Sequence, residues 1–144
     1  MAARGLVLDA NILVRAVLGR RVKELIATYA PHIDFVSPTI AYEDAERHLP
    51  EILTKHGRAP EVGPALDFLF ALRRTVTAVP EEAYESQKVT ALARIAQRDS
   101  DDWPVLATAI LLRCPIWTED NDFFGTGVPT WTTDRVELYL KNTD

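Results

Sequence analysis

The sequence is poor in cysteine, has no long apolar run and carries no excess of positive charge. Its one cysteine, Cys114, excludes an internal disulfide and is typical of a protein in the reducing cytoplasm. No run of about 18 apolar residues occurs, so we expect no membrane span. Because the segment before the first apolar stretch is short, we expect no signal peptide. The net charge of −5 has the wrong sign for general adhesion to nucleic acid. A nucleic-acid enzyme of this composition needs local arginines or a bound cation.

The rest of the composition is that of an ordinary globular protein, and the order of its segments predicts an α/β fold. Apolar residues make up 47% of the 144 residues and charged residues 26%, so we expect a single domain over residues 1–144. Strand-like segments alternate with helix-like ones, which predicts a three-layer fold with a central parallel sheet of four or five strands and helices on both faces. The predicted strands are Leu6–Leu8, Ile33–Val36, Thr75–Val79, Pro115–Thr118 and, as a fifth, Thr130–Thr132. The predicted helices are Asn11–Leu18, Arg21–Ala30, Ser37–His56, Val62–Leu72, Glu81–Ala96, Trp103–Arg113 and Asp134–Leu140.

Asp9 follows the first predicted strand directly. Leu6–Leu8 is continuously apolar, as expected of a strand buried on both faces. Asp9 therefore lies at the carboxyl end of that strand, where open α/β sheets bind their ligands. A carboxylate among apolar neighbours is disfavoured in its charged form. Asp9 either caps the following helix or is kept ionised by a cation.

Three further acidic groups fall at the same predicted edge of the sheet. Two carboxylates 4 Å apart repel each other by about 4 kcal/mol at an effective dielectric constant of 20, so a fold collects them where a cation binds. The groups contain no sulfur ligand and no paired histidines, which favours Mg²⁺ or Mn²⁺. The groups are Glu43, Asp44 and Glu46; Asp99, Asp101 and Asp102; and Glu119, Asp120 and Asp122.

Four motifs in this order resemble the PIN domain family over nearly the whole chain, from about Gly5 to Leu140. The motifs are Leu6-Val7-Leu8-Asp9-Ala10-Asn11, Ser37-Pro38-Thr39-Ile40-Ala41-Tyr42-Glu43, Asp101-Asp102-Trp103-Pro104-Val105-Leu106-Ala107-Thr108-Ala109 and Trp117-Thr118-Glu119-Asp120-Asn121-Asp122-Phe123. The resemblance implies a PIN-like fold and a metal-dependent endoribonuclease of the VapC type found in toxin–antitoxin pairs. It also implies a cognate antitoxin as partner, and we expect a homodimer. From the single cysteine we expect the protein to be cytoplasmic.

The family's acidic quartet maps onto Asp9, Glu43, Asp102 and Asp120, as catalytic residues and as ligands of Mg²⁺ or Mn²⁺. Asn11 and Thr118 match its polar supporting positions. Asp122 lies only two residues beyond Asp120, so either one could be the fourth acid.

The residues themselves support these assignments unevenly. Helical periodicity places Glu43 almost opposite the apolar face of its helix and so predicts that it is exposed, whereas its position only about 7 Å below the sheet edge favours a role there. Asp102 precedes a helix that is apolar nearly all round, and we expect that helix to be buried with its N-terminus as a fixed platform.

Antitoxin contacts are expected from apolar residues of the first two helices, namely Ile12, Val14, Val17 and Ile26.

Two other classes of function stay open. One is a PIN-like module that binds RNA or a protein without turnover, alongside a housekeeping RNA-processing nuclease of the same family. The other is a phosphoryl-transfer enzyme with an acidic sheet edge. A dehalogenase-like member of that class needs a second aspartate two residues after Asp9, and Asn11 stands there instead.

Overall fold

The structure, a computed structural model, describes residues 4–142. Positions 1–3, which belong to the segment for which we expect no signal peptide, lie outside the described residues. Within residues 4–142, no helix combines the length and the apolar character needed to cross a membrane.

A five-stranded, fully parallel sheet forms the middle layer, in the order β3-β2-β1-β4-β5. The strands are β1 Arg4–Leu8, β2 Ile33–Pro38, β3 Val76–Val79, β4 Ile116–Trp117 and β5 Thr130–Trp131. The helices are α1 Ala10–Leu18, α2 Arg21–Tyr29, α3 Thr39–Lys55, α4 Val62–Leu72, α5 Glu81–Tyr84, α6 Lys88–Ile95, α7 Trp103–Leu112 and α8 Val136–Lys141. The predicted three-layer α/β fold with a parallel sheet is confirmed.

Helices cover both faces of the sheet because alternate strand residues point to opposite sides. Leu6 and Leu8 of β1 pack with residues of α1–α4 and α8, whereas Val7 packs with residues of α5–α7. Trp117 and Ile116 of β4 divide between the two layers in the same way. β1 is therefore buried on both faces, as its continuous apolar sequence predicts.

The start of α3 differs from the prediction. A serine followed by a proline is typical of an N-cap and a first helical residue, and the predicted helix Ser37–His56 starts there. Ser37 and Pro38 instead complete β2, where they pair with Ala78 and Val79 of β3. The Ser37 hydroxyl is buried and donates a 2.7 Å hydrogen bond to the Leu8 carbonyl oxygen instead of capping α3. The serine therefore fastens β2 to the end of β1, beside Asp9.

Two other helix predictions need correction. The helix expected over Glu81–Ala96 is divided by a 3-10 turn at Glu85–Gln87, although the buried residues Tyr84, Ala91 and Ile95 have spacings compatible with one helix. Nothing in the hydrophobic pattern marks that turn. In α7, the end of the helix is exposed: Leu112 is 45% accessible, so the expectation of an apolar, wholly buried helix holds only for its first two turns.

Candidate metal centre

Asp9 lies at the carboxyl end of β1 and caps α1, and its carboxylate is fixed by three hydrogen bonds. Its Oδ1 accepts from the backbone N–H of Ala10 at 2.8 Å. Its Oδ2 accepts from the Thr118 hydroxyl at 2.8 Å and from the Asn11 side-chain amide at 3.0 Å. Burial raises the pKa of Asp9, and the negative charges of Asp120 and Asp44 raise it further, whereas the bonds from Thr118 and Ala10 oppose the shift. The capping alternative is therefore observed, and the cation alternative stays open because the same carboxylate is desolvated and lies near other acids.

The loop after β4 is built on Thr118. Its buried hydroxyl donates to Asp9 and accepts the backbone N–H of Asp120 at 2.9 Å. Asp120 in turn caps the 3-10 turn Asn121–Phe123, because its Oδ1 accepts the backbone N–H of Asp122 at 2.9 Å. Thr118 thus positions both Asp9, which follows β1, and Asp120, which follows β4.

Asp102 immediately precedes α7, and among the acids of the centre its pKa departs most from the ordinary value. Its Oδ2 is buried and has no hydrogen-bond partner among residues 4–142. Burial, followed by the charges of Asp9, Asp120, Asp99 and Asp122, raises the pKa of Asp102 to about 8. A buried polar atom without a partner costs about 1–3 kcal/mol, more when the group is charged. A bound cation would relieve both the missing contact and the repulsion.

Asp9, Asp102 and Asp120 line a cavity of about 530 Å³ at the carboxyl edge of the sheet. Within the described part of the chain, the carboxylates of Asp99, Asp102 and Asp122 form a group whose oxygen atoms lie within 4.8 Å of one another. Burial and the charges of Asp120 and Asp99 raise the pKa of Asp122, while Arg98 opposes that shift. The cavity lining comprises Asp9, Ala10, Asn11, Val14, Arg15, Asp44, His48, Ile52, Asp99, Asp101, Asp102 and Asp120.

The structure brings three of the four predicted quartet residues to this cavity and leaves the fourth outside. Asp9, Asp102 and Asp120 line it, but Glu43 is exposed on α3 and is not part of the lining. The charge of Glu43 acts instead on Tyr84, where it contributes to a pKa raised to about 12 chiefly by burial. Its neighbour Asp44 does line the cavity, with Oδ1 2.6 Å from Arg47 Nη2.

Asp99 is the acid for which the sequence gives the weakest signal. It precedes the turn Ser100–Asp102, which it caps by accepting the backbone N–H of Asp101 at 3.0 Å. In the sequence it lies close to Asp102, the acid assigned to the third motif, and has no motif position of its own. Its approach to Asp122 depends on how two separate loops pack. Glu119, by contrast, is directed elsewhere, because its Oε2 accepts from both the backbone and the hydroxyl of Thr133 at 2.7 Å.

The residues of the cavity fit a divalent cation. The donor set is made of carboxylate oxygens, which Mg²⁺ and Mn²⁺ prefer over sulfur or paired imidazoles. The unpartnered Asp102 Oδ2 supplies a free ligand atom. Asp9 keeps lone pairs beyond those used by its donors, because an ionised carboxylate offers about four acceptor sites.

Comparisons with known proteins agree with the fold. The model of the PIN domain family matches residues 7–141. A chain of the crystal structure of VapBC2 from Rickettsia felis bound to a DNA fragment from their promoter has a TM-score of 0.63 at 15% identity, covering 89% of this chain and 98% of that chain. A chain of a toxin–antitoxin complex from Klebsiella pneumoniae has a TM-score of 0.58 at 20% identity, covering 92% of this chain and 98% of that chain. No curated protein sequence gives a significant match.

Proposed function

The chain belongs to the PIN domain family, and we propose that it is a divalent-metal-dependent endoribonuclease that hydrolyses RNA phosphodiester bonds as the toxin of a type II toxin–antitoxin pair. The observation that carries the proposal is the buried Asp102 Oδ2, which lacks a partner and lies among other carboxylates at the edge where parallel sheets bind ligands. With all of its acids ionised, such an arrangement is unfavourable unless a cation is bound.

The proposed ligands of Mg²⁺ or Mn²⁺ are Asp9, Glu43, Asp102 and Asp120, with Asp122 as the alternative fourth acid. When bound, the ion supplies positive charge and Lewis acidity at the scissile phosphodiester. Asp9 acts as a fixed ligand because Thr118 and Asn11 hold its carboxylate. The chain contributes positioning and charge, and none of these acids needs to act as a nucleophile.

Asp102 has a second role in this scheme, as the acid that must lose a proton when a cation enters. Its pKa is raised to about 8, so the carboxyl group is mostly protonated at neutral pH before a cation binds. Metal ligands bind in their deprotonated form, so binding releases that proton. Loading of the centre is therefore expected to depend on pH.

We propose a cognate antitoxin as the regulating partner, in keeping with the toxin–antitoxin complexes among the structural relatives. A basic antitoxin side chain that entered the cavity would compete with the metal for Asp9 and Asp102. Of the four apolar residues expected to contact the partner, Ile12 and Ile26 belong to the core and are not accessible. Val14 and Val17 are half-buried and remain available. A homodimer in the cytoplasm completes the proposal.

A cleavage assay on purified protein tests the enzymatic part. We expect labelled RNA to be cut in the presence of Mn²⁺ or Mg²⁺ and to stay intact in excess chelator. Asp9→Asn and Asp102→Asn are expected to fold and to lose at least about 100-fold in rate, equivalent to about 2.7 kcal/mol in the barrier. Asp67→Asn, the same change at an exposed position of α4, is the matched control. Wild-type activity in either site variant would contradict the proposal.

Expression in a bacterial host tests the toxin part. We expect growth arrest when this chain is expressed alone, and relief when the protein encoded beside it is co-expressed. Harmless expression of a metal-active enzyme would favour the second candidate, a housekeeping RNA-processing PIN nuclease. Metal-dependent binding of RNA without cleavage would favour a binding module.

A further inference from the structure

We propose that Arg15 and Arg98 hold phosphates of the RNA strand on two sides of the acidic centre and so define the path of the strand across the cavity. The inference rests on the proposed function for the identity of the substrate. It answers a problem posed by the composition, namely how a chain of net charge −5 holds a polyanion.

Arg15 lies on the α1 side of the cavity, one helical turn beyond Asn11. It is part of the cavity lining together with Asp9 and Asp102. Within residues 4–142 its side chain has no carboxylate within salt-bridge distance and no hydrogen bond. A position in the last turn of α1 suits a cation because of the helix dipole, but it does not require that the side chain face the acids. Arg15 is therefore a free cation at the mouth of an acidic cavity.

Arg98 directly precedes Asp99, which lines the cavity, and contacts the loop after β4. Its Nη1 donates a 2.9 Å hydrogen bond to the Asn121 carbonyl oxygen, which fixes the guanidinium next to the turn that carries Asp122. Its charge acts on Asp122 and opposes the raised pKa of that acid. No carboxylate of the described residues lies within 4.0 Å of its nitrogen atoms, so most of its donors are free.

The order cation, acids, cation fits an RNA strand better than a basic protein segment. Once a divalent ion neutralises the central acids, the two arginines leave a positive surface on both sides, which attracts successive phosphates. A basic partner segment that crossed the same surface would be repelled by Arg15 on one side and by Arg98 on the other. Two other exposed arginines, Arg21 and Arg58, are instead bonded to Glu137 and Glu61.

The test measures RNA binding separately from cleavage. The Asp9→Asn protein, which should bind without cutting, is titrated in Mn²⁺ with a labelled single-stranded oligoribonucleotide of about 12 nucleotides, at salt concentrations from about 50 to 200 mM. In this background, Arg15→Gln and Arg98→Gln are each expected to raise Kd about fivefold at 0.1 M salt and to reduce the slope of log Kd against log salt by about 0.7. Arg74→Gln, at the opposite edge of the sheet, is the control.

In the otherwise wild-type enzyme, the same two substitutions are expected to raise KM more than they lower kcat. Arg15→Gln, which breaks no bond among the described residues, is expected to leave Mn²⁺ affinity and Tm unchanged. Arg15→Lys and Arg98→Lys should restore most of the salt slope, because they keep the charge. Unchanged Kd and salt slope in both Gln variants, or no RNA binding beside strong binding of a basic peptide, would overturn the inference. Arginine-dependent binding without any cleavage by the wild-type protein would defeat the proposed nuclease and leave the inference standing.

Discussion

The hydroxyl of Thr118 donates a 2.8 Å hydrogen bond to Oδ2 of Asp9, a residue 109 positions earlier in the chain. The bond is buried, and it joins the carboxyl ends of the neighbouring parallel strands β1 and β4. Because the same hydroxyl accepts the Asp120 N–H, two proposed ligands share one positioning residue. The geometry of the centre therefore depends on the residues that hydrogen-bond to the acids as well as on the acids themselves.

Thr118→Val is expected to weaken the metal centre although it removes no ligand. Valine keeps the shape of threonine but loses the donor to Asp9, which costs about 1–3 kcal/mol of stability for a buried bond to a charged group. Since that bond lowers the pKa of Asp9, its loss should move Mn²⁺ binding to higher pH. Calorimetric titration between about pH 6 and 8 checks the shift. Thr118→Ser should restore the wild-type profile, and an unshifted profile for the valine variant would show that Thr118 has only a packing role.

Asp102 is expected to make the metal-free protein less stable as pH rises. In the unfolded chain it loses its proton near 3.8, whereas in the folded protein it keeps it up to about pH 8. The folded state therefore binds more protons between these values, so the free energy of unfolding falls with rising pH across that window. Melting temperatures in chelator from about pH 5.5 to 8 measure the fall. Asp102→Asn should flatten it and raise Tm at pH 8, whereas Asp67→Asn should behave like wild type.

The fourth acid is expected to be distinguished by comparing Asp120→Asn with Asp122→Asn. One oxygen of Asp120 already accepts the Asp122 N–H, while the Asp122 carboxylate lies within 4.8 Å of those of Asp99 and Asp102. We therefore expect Asp122→Asn to weaken Mn²⁺ binding about tenfold, equivalent to about 1.4 kcal/mol, and Asp120→Asn to lower Tm more. The reverse order in the titrations would assign the ligand to Asp120.

Glu43 and Asp44 compete for the role of ligand from α3, and we expect Glu43 to hold it. Asp44 lines the cavity, but its carboxylate is paired with Arg47, whereas Glu43 has no ion pair or hydrogen bond among the described residues. A long, free side chain can turn towards a cation, but a paired one must first break its bond. Glu43→Gln should therefore reduce the cleavage rate at least about tenfold, and Asp44→Asn less than about threefold. A larger loss for Asp44→Asn would transfer the role to that residue.

The sequence alone determined the layers of the fold and most of the elements. Continuous apolar strands such as Leu6–Leu8 and amphipathic helices such as Val62–Leu72 are local patterns, and their alternation leaves few arrangements other than a covered parallel sheet. The placing of Asp9 at a strand end also follows from local order along the chain. Motif spacing then identified the family that the comparison confirms.

Only the tertiary structure decided which groups meet. The Ser37 hydroxyl could cap a helix or bond to another strand. In the fold it bonds to the Leu8 carbonyl oxygen, because β1 lies next to β2. Asp99 and Asp122 approach each other because two loops converge on one edge, and nothing within either segment encodes that approach. Glu43 and Asp44 point in directions about 100° apart around α3. The hydrophobic periodicity of a helix shows which residues face the core, but it does not show which of the others face a cavity. Local sequence fixes periodicity and chain order, whereas distances between side chains depend on how separate segments pack.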